Sequence, residues 1–262
     1  MLQETRLHRI RALLTMLNHV STERIIRELG ISRETARRDI IELEALGVAR
    51  RVHGGLMALD AEPEPPLIVR SEVRAREKRA IARAAAKMVK PGQTLFLDAG
   101  STTTMLAEEL RTLSGLTIIT NSLHAALKLS AGEEHEVLNN AIILLGGNMP
   151  AGAQETRGEL TVSEIYRYRA DVALMSPVGI DARKGASSFH PHEAAIARAM
   201  AEQATQLVLL ADHSKLGLTS RINYAGIKQV STLITDSGSP DLPAFSALEK
   251  ILPEVRVASK SA

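Results

Sequence analysis

Charged side chains recur at helical spacing near the amino terminus, where they could bind DNA. The apolar positions of this segment are four, three and four residues apart and predict one buried helix face: Ala36, Ile40, Leu43 and Gly47. The predicted opposite face carries Glu34, Arg37, Arg38 and Glu42. Arginine binds phosphate and, as a bidentate donor, guanine in the major groove. Ser32 is a good N-cap for such a helix. The candidate DNA contacts are therefore Ser32, Arg33, Glu34, Thr35, Arg37 and Arg38.

A shorter helix is predicted before this segment. Ser21 can cap it, Ile25 and Leu29 supply apolar positions, and Gly30 can end it in a left-handed conformation. A capped helix, a glycine turn and a second capped helix are typical of a helix-turn-helix. The same pattern also occurs in helical hairpins that bind no DNA, so the helix pair alone leaves both interpretations open.

A basic hairpin after the two helices favours DNA binding. Residues 48–52 are β-prone and include Arg50 and Arg51. The sequence His53-Gly54-Gly55 can turn the chain, because glycine accepts a positive φ, and residues 56–59 can return as the partner strand. A hairpin behind a helix-turn-helix defines the winged variety. Arg50, Arg51 and His53 would contact the DNA backbone or the minor groove, which attracts such side chains.

Composition excludes several functions. Aromatic residues make up 2% of the chain and Trp is absent, which argues against stacking on single-stranded nucleic acid. Without cysteine there are no disulfides, Cys-zinc sites or thiol catalysis. No segment is typical of a signal peptide or a membrane span, so we expect a cytoplasmic protein without a membrane partner. Residues 1–57 hold ten arginines and seven acids, a charge of +3 within a total of +2, which fits a DNA-binding module.

The periodicity then divides the chain. Leu7, Ile10, Leu14 and Leu17 predict a first helix. Residues 61–66, Ala-Glu-Pro-Glu-Pro-Pro, predict a stiff, extended connector. We therefore expect a winged helix-turn-helix domain over residues 1–59, a linker over 60–70 and a larger domain over 71–262.

The larger domain is predicted to have an α/β fold. A charged helix is expected over residues 72–89. Predicted strands follow at residues 94–97, 116–120, 141–145, 172–175, 207–210 and 232–235. Predicted helices lie between most of them, at residues 103–113, 123–129, 160–169 and 194–204. Alternating strands and helices indicate a mostly parallel sheet covered by helices.

Polar and glycine residues follow five of the predicted strands. In parallel α/β sheets, ligands bind outside the carboxyl ends of the strands, so these loops are predicted to converge on one site. The residues that matter most are Asp98, Gly100, Ser101, Thr102, Thr103, Asn121, Gly147, Asp181 and Lys215. Gly100 turns the chain and Ser101 to Thr104 open a helix, an arrangement whose N–H groups and hydroxyls suit a phosphate. An ordinary strand-to-helix turn with hydroxyl caps is the alternative.

Both halves of the chain resemble the DeoR family of bacterial repressors, whose ligands are mostly sugar phosphates. In the first half the resemblance is carried by Ser21-Thr22-Glu23, the run from Ser32 to Ile40, Leu43, Gly47, and the run from Arg51 to Gly55. In the second half it is carried by the loops above, together with Gly158-Glu159, Gly185, Glu193 and the run from Ala211 to Lys215. That half is similar to ribose-5-phosphate isomerase. The resemblance implies effector contacts by the first loop, Asn121, Asp181, Glu193 and Lys215. It departs at Ala197, where many relatives have lysine.

We therefore expect a DNA-binding repressor that a phosphorylated sugar releases from its operator. Its partners would be double-stranded DNA, the sugar phosphate and a second copy of the chain, in a dimer or tetramer. A sugar-phosphate isomerase with a helical extension is one alternative, and a constitutive DNA binder with an inactive sensor is another. His190, His192, Glu193 and His213 could form a metal site, but loop histidines are more often solvated. No nucleotide-binding glycine pattern occurs, so neither a cofactor nor a metal is expected.

Overall fold

Separate hydrophobic cores divide the chain into an amino-terminal unit, residues 1–66, and a carboxyl-terminal unit, residues 67–262. The computed structural model describes residues 2–17, 19–52, 54–58, 67–131, 139–150 and 152–259. Among these residues, no helix is long and apolar enough to cross a membrane.

The amino-terminal unit is a winged helix-turn-helix. Its elements are α1 (Gln3–Leu17), β1 (His19–Ser21), α2 (Thr22–Leu29), α3 (Arg33–Ala45), β2 (Ala49–Val52) and β3 (Gly55–Ala58). The three strands form an antiparallel sheet in the order β1-β3-β2. We call α3 the recognition helix and the β2–β3 hairpin the wing. Both were predicted from the sequence, whereas the three-residue strand β1 was not.

Serine hydroxyls begin both helices of the motif. Ser21 Oγ accepts from the Arg24 amide at 3.2 Å, and Ser32 Oγ accepts from the Thr35 amide at 3.2 Å. Gly30 ends α2 with φ +63°, as predicted. The assignment of Gly47 to the apolar helix face was wrong, because α3 ends at Ala45 and Gly47 turns the chain with φ +67°.

A seven-stranded parallel sheet forms the centre of the carboxyl-terminal unit. Its strands are β4 (Thr94–Leu97), β5 (Thr117–Thr120), β6 (Ala141–Leu144), β7 (Ala170–Met175), β10 (Ala204–Leu210), β12 (Val230–Asp236) and β13 (Glu254–Ala258). Their order is β13-β12-β10-β7-β4-β5-β6, and every neighbouring pair is parallel. Six of the seven were predicted, and β13 was missed.

Helices cover both faces of this sheet. They are α4 (Leu67–Glu72), α5 (Ala75–Ala86), α6 (Ser101–Leu110), α7 (Leu123–Ser130), α8 (Glu159–Ile165), α9 (Pro191–Glu202) and α10 (Pro243–Glu249). Residues of β4 alternate between the two cores: Phe96 packs into one, and Leu95 and Leu97 into the other. Burial on both faces explains why the central strands β4 and β7 are apolar at all but one position each.

Two predictions for this unit need correction. The single helix expected over residues 72–89 is broken at Arg74, which has φ +54°, and α5 ends at Ala86. Because α4 begins at Leu67, the last residues expected to be linker are helical. A small antiparallel sheet was not predicted from the sequence. It consists of β8 (Gly179–Asp181), β9 (Gly185–Ser188) and β11 (Ile222–Ala225), in the order β11-β9-β8.

Candidate DNA-binding surface and effector site

One face of the recognition helix packs against the rest of the amino-terminal unit. Ala36, Ile40 and Leu43 are buried in the amino-terminal core. Asp39, fully buried on the same helix, accepts two hydrogen bonds from the Arg6 guanidinium, at 2.7 and 2.9 Å. This bidentate ion pair joins α1 to α3 and is geometrically specific. The inner face is thus anchored by apolar packing and by one buried charge pair.

The outer face of the recognition helix is solvent-exposed. Glu34, Arg37 and Arg38 are all exposed on it. Glu34 Oε1 lies 3.3 Å from Arg38 Nε, one helical turn away. Exposed pairs of this kind contribute little to stability, so DNA can displace the carboxylate at small cost. The arginine side chains on this face are therefore solvent-exposed, and the pairing of Arg38 with Glu34 is weak.

The wing and the recognition helix border a groove of about 560 Å³. Arg33, Arg37 and Arg51 line it, together with the backbone of Gly54 and Gly55. Glu44 Oε1 accepts from the Arg51 amide at 2.9 Å and so ties the wing to the carboxyl end of α3. The groove thus brings cations of both elements together, beside Glu23 and Glu34, and arginines on such a surface can contact a DNA backbone.

Two glycines let the wing form. Gly54 turns the hairpin with φ +84°. A Cβ on Gly55 would lie 2.2 Å from the Val20 carbonyl oxygen, so only glycine allows β3 to approach β1 there. His53, a predicted DNA contact, lies outside the described residues.

We expect the wing arginines to bind phosphates rather than read bases. Replacing Arg50 and Arg51 together with Ala should lower the affinity for operator and for random DNA by the same factor. It should also flatten the salt dependence of binding by up to about two units of slope. Titrations at several salt concentrations measure both effects. The double variant Lys128→Ala/Arg256→Ala, which removes exposed charges from the carboxyl-terminal unit, is the control. A loss confined to the operator would show that these arginines read sequence.

The strand order places a second candidate site at the carboxyl ends of β4 and β7. The chain runs from β4 through β5 to β6 on one side and from β7 through β10 to β12 on the other. The connections therefore reverse between β4 and β7, which leaves a crevice where ligands bind in such sheets. The loop of residues 98–101 follows β4, and Ser176 follows β7. Ser176 Oγ lies 3.4 Å from Thr102 Oγ1 across this crevice.

The start of α6 is rich in hydroxyl groups. Ser101, Thr102, Thr103 and Thr104 are all buried. The hydroxyls of Thr103 and Thr104 donate to the Gly100 carbonyl at 3.0 and 2.7 Å. No side chain caps the helix at Gly100. The first amides of α6 therefore keep the positive end of the helix dipole open to an anion.

Lys215 contacts the two residues that follow β7. Its Nζ donates to Ser176 Oγ at 3.0 Å and to the Pro177 carbonyl at 2.6 Å. Because Ser176 also meets Thr102, the ammonium lies beside the start of α6. The structure thus brings together the hydroxyl-rich loop and a lysine more than one hundred residues later in the sequence.

Further cations surround a buried carboxylate at the same place. Asp212 is 2% exposed, and Arg74 Nε lies 3.7 Å from its Oδ1. Burial works to raise the pKa of Asp212, but Lys215, Arg74, the Ser214 hydroxyl and Lys78 outweigh it and lower the pKa. We call Arg74, Lys78 and Lys215, with Asp212 among them, the cationic cluster. Three cations against one carboxylate leave a positive excess that suits a doubly charged anion.

Lys78 is the least exposed cation of the cationic cluster. It is 5% exposed, and its Nζ donates to the Arg70 carbonyl. Burial, and then the charge of Lys215, lower its pKa to about 8. Lys78 and Arg74 were not predicted as site residues, because a helix rich in charged residues is expected to be solvent-exposed.

Asn121 and Gly147 occupy loops at the same end of the sheet. The Asn121 amide donates to the Thr156 carbonyl at 3.2 Å, while its Oδ1 is buried and has no hydrogen-bond partner among the described residues. Gly147 has φ +147°, and a Cβ there would lie 2.0 Å from Thr161 Oγ1. Packing against α8 therefore accounts for this glycine.

Asp181 and Glu193 make local contacts. Asp181 Oδ1 accepts from the amides of Arg183 and Lys184, both at 2.9 Å, which is an Asx-type turn. Glu193 Oε2 accepts from Ser188 Oγ at 2.8 Å, and its Oε1 lies 3.8 Å from Arg157 Nη2. Ser188 and Arg157 are thus partners that the sequence analysis did not find.

Two positions noted in the sequence have other roles. Ala197 is 2% exposed and belongs to the core beneath α9. Neighbouring Arg198 donates to the Asn223 carbonyl at 2.8 Å. His213, one of the residues considered for a metal site, hydrogen-bonds Asp236 through Nδ1 at 2.9 Å. Within the described ranges, no group of three or more His, Asp or Glu side chains could hold a metal ion.

The fold and these two surfaces define a class of protein. A winged helix-turn-helix with arginines on its recognition helix is joined by one chain to an α/β unit with a cationic crevice. That combination is a DNA-binding transcription regulator with a ligand-sensing unit.

Comparison with known protein families gives the same result. Residues 6–62 match the DeoR-like helix-turn-helix domain, and residues 73–237 match the DeoR C terminal sensor domain. The chain therefore belongs to the DeoR family of transcription regulators.

Several curated relatives match nearly the whole chain. It is 34% identical over 236 residues to the HTH-type transcriptional regulator GolR of Listeria innocua, covering 88% of this chain and 90% of that protein. It is 32% identical over 240 residues to the glycerol-3-phosphate regulon repressor of Escherichia coli, covering 92% and 93%. It is 35% identical over 237 residues to the HTH-type transcriptional repressor GlcR of Bacillus subtilis, covering 90% and 89%. The chain is thus a regulator, and the isomerase alternative is not favoured.

Solved structures match more remotely. Ribose 5-phosphate isomerase A from Methanocaldococcus jannaschii has 18% sequence identity and a TM-score of 0.36, covering 53% of this chain and 52% of that one. The beta subunit of eIF2B from Chaetomium thermophilum has 14% identity and a TM-score of 0.43, covering 61% and 48%.

Proposed function

We propose that this regulator represses genes of carbohydrate metabolism and leaves its operator when a phosphorylated sugar binds the carboxyl-terminal unit. The observation that carries the proposal is the cationic cluster beside the uncapped, hydroxyl-rich start of α6. A phosphate dianion would accept from the first amides of α6 and from Lys215. The name of the glycerol-3-phosphate regulon repressor supports a phosphorylated ligand.

The remaining predicted contacts would bind the rest of the sugar. Carboxylate and amide oxygens accept hydrogen bonds from hydroxyl groups. The buried, unpartnered Oδ1 of Asn121 supports such a role, since an orphaned acceptor costs stability unless a ligand satisfies it. The proposed effector residues are Asp98, Gly100, Ser101, Thr102, Thr103, Asn121, the Gly147 backbone, Asp181, Glu193 and Lys215, to which the structure adds Arg74 and Lys78.

The proposed DNA contacts lie on the recognition helix and the wing. The exposure of Arg33, Arg37 and Arg38, and the groove that Arg33, Arg37 and Arg51 line, support the assignment. The proposed contacts are Ser32, Arg33, Glu34, Thr35, Arg37, Arg38, Arg50, Arg51 and His53. Paired half-sites would be read by a dimer or tetramer of the chain, acting in the cytoplasm.

Release of DNA requires that the effector bind the two states of the regulator unequally. Arg74 offers a physical route, because it contacts Asp212 in the cationic cluster and also forms the left-handed corner between α4 and α5. A phosphate among these cations would compete with Asp212 for Arg74. Helix α4 leads directly back to the connector, so a changed corner would alter how the chain leaves the carboxyl-terminal unit.

The proposal is tested by operator release. A panel of glycerol 3-phosphate, ribose 5-phosphate and glucose 6-phosphate is added to the protein–operator complex, with the unphosphorylated compounds as controls. We expect at least one phosphorylated compound to lower operator affinity and its unphosphorylated form to have no effect. Operator binding that no member changes would instead support a constitutive DNA binder.

Ser101→Glu should abolish the response to the effector. The variant places a carboxylate at the first residue of α6, where the phosphate would bind. It should either bind operator without responding or release operator constitutively by mimicking the anion. Calorimetry and mobility shifts measure these outcomes, and Ser163→Glu, on an exposed serine of α8, is the control. A normal response in Ser101→Glu would place the phosphate elsewhere.

A further inference from the structure

One tyrosine is buried with its hydroxyl unsatisfied. Tyr224, on β11, is 5% exposed, and its hydroxyl is buried without a hydrogen-bond partner among the described residues. A buried donor left unpaired loses the hydrogen bonds that it made to water, and phenylalanine would fill the same space without that cost. Packing of the hydrophobic core therefore does not explain why this position carries tyrosine rather than phenylalanine.

The small sheet that carries Tyr224 also contacts residues of the proposed effector site. Strand β11 pairs with β9, with Ile222 opposite Ser188, and Ser188 holds Glu193. On the other side of the small sheet, Ile180 of β8 bridges to Leu216, next to Lys215. The small sheet thus borders the crevice between Glu193 and the cationic cluster, and Tyr224 lies on its outermost strand.

The charge of Asp98, in the first loop of the site, also acts on the Tyr224 hydroxyl. Burial raises the pKa of Tyr224 well above its ordinary value, and the negative charge of Asp98 raises it further. A neutral phenol beside a carboxylate is a donor next to an acceptor. Asp98 Oδ1 already accepts from the Ala99 amide at 2.8 Å, and a carboxylate can accept several hydrogen bonds.

We propose that the Tyr224 hydroxyl donates to a hydroxyl group of the effector, which in turn donates to Asp98. Tyr224 is then a specificity-determining residue, and the ligand class is a phosphorylated polyol with a hydroxyl at the end away from its phosphate. This inference rests on the proposed function. It adds that one end of the crevice binds phosphate and the other, with Tyr224, Asp98 and the unpartnered Asn121 Oδ1, binds hydroxyl groups.

The test is Tyr224→Phe, which removes only the oxygen atom. The melting temperature of the free variant should equal or exceed that of the wild type, because an unpaired buried group is lost. Binding of the panel member that the wild type binds best, among glycerol 3-phosphate, ribose 5-phosphate and glucose 6-phosphate, should weaken about tenfold, as for one lost hydrogen bond. Binding of inorganic phosphate, which has no polyol, should be unchanged. Calorimetry and thermal unfolding measure these quantities.

The matched control is Tyr166→Phe. Its hydroxyl hydrogen-bonds Glu202 at 2.7 Å on the surface, so its loss should leave the binding of all four compounds unchanged. A lower melting temperature for Tyr224→Phe would mean that the hydroxyl has a partner within the protein and would overturn the inference. Unchanged sugar-phosphate binding, or equal weakening toward inorganic phosphate, would also overturn it. If the wild type binds none of the sugar phosphates, the proposed function fails and the inference fails with it.

Discussion

Arg38→Ala should weaken operator binding by about 1–3 kcal/mol, or roughly 5- to 150-fold, if the arginine reads a base edge. Arg38 is exposed on the recognition helix, where it pairs with the exposed Glu34, so its removal should not change the fold. A mobility-shift titration measures the affinity, and far-ultraviolet circular dichroism checks the helix content.

Arg38→Lys separates base reading from phosphate contact. Lysine keeps the charge but cannot offer the planar, bidentate donor pair. If Arg38 reads guanine, Lys should be nearly as weak as Ala on the operator and nearly normal on random DNA. Wild-type affinity of Arg38→Ala for the operator would remove Arg38 from the interface.

Effector binding should weaken as the pH rises above about 8. Burial lowers the pKa of Lys78 to about 8, so its ammonium in the free protein loses its proton above this pH. A phosphate dianion requires the protonated form. The dissociation constant should therefore increase by up to tenfold per pH unit, since one proton is taken up on binding. Calorimetry from pH 7.5 to 9.5, with a sugar phosphate that releases the operator, measures this.

Two variants assign the titration to Lys78. Lys78→Arg keeps its charge across this range and should remove the decline. Lys78→Met should bind weakly at every pH. A wild-type affinity that stays constant to pH 9.5 would show that Lys78 does not meet the phosphate, and a decline that persists in both variants would assign it to another group.

Local signals made much of the fold predictable. Ser21 and Ser32 cap their helices through the amides three residues on, an interaction that sequence alone specifies. The apolar runs of six sheet strands were evident because burial on both faces excludes polar residues. The convergence of Asp98, Ser101 and Lys215 followed from parallel strand order, since all carboxyl ends lie at one edge.

The missed features depend on tertiary contacts. Asp39 was given no structural role from the sequence, because its ion pair with Arg6 spans 33 residues. The break at Arg74 carries neither glycine nor proline, so nothing local marks it. Helix α5, which carries the buried Lys78, packs against both the sheet and α6, and the pattern of charges along the sequence cannot reveal this burial.

The order of elements along the chain has a consequence for biosynthesis. The amino-terminal unit has its own core and its last strand, β3, ends at Ala58. The parallel sheet is different, because β4 lacks its neighbour β7 until the chain has been made beyond Ala170. The outer strand β13 begins only at Glu254. During translation the DNA-reading surface is therefore complete long before the sensor. A chain released early from the ribosome would therefore carry the DNA-reading surface without the ligand-binding unit.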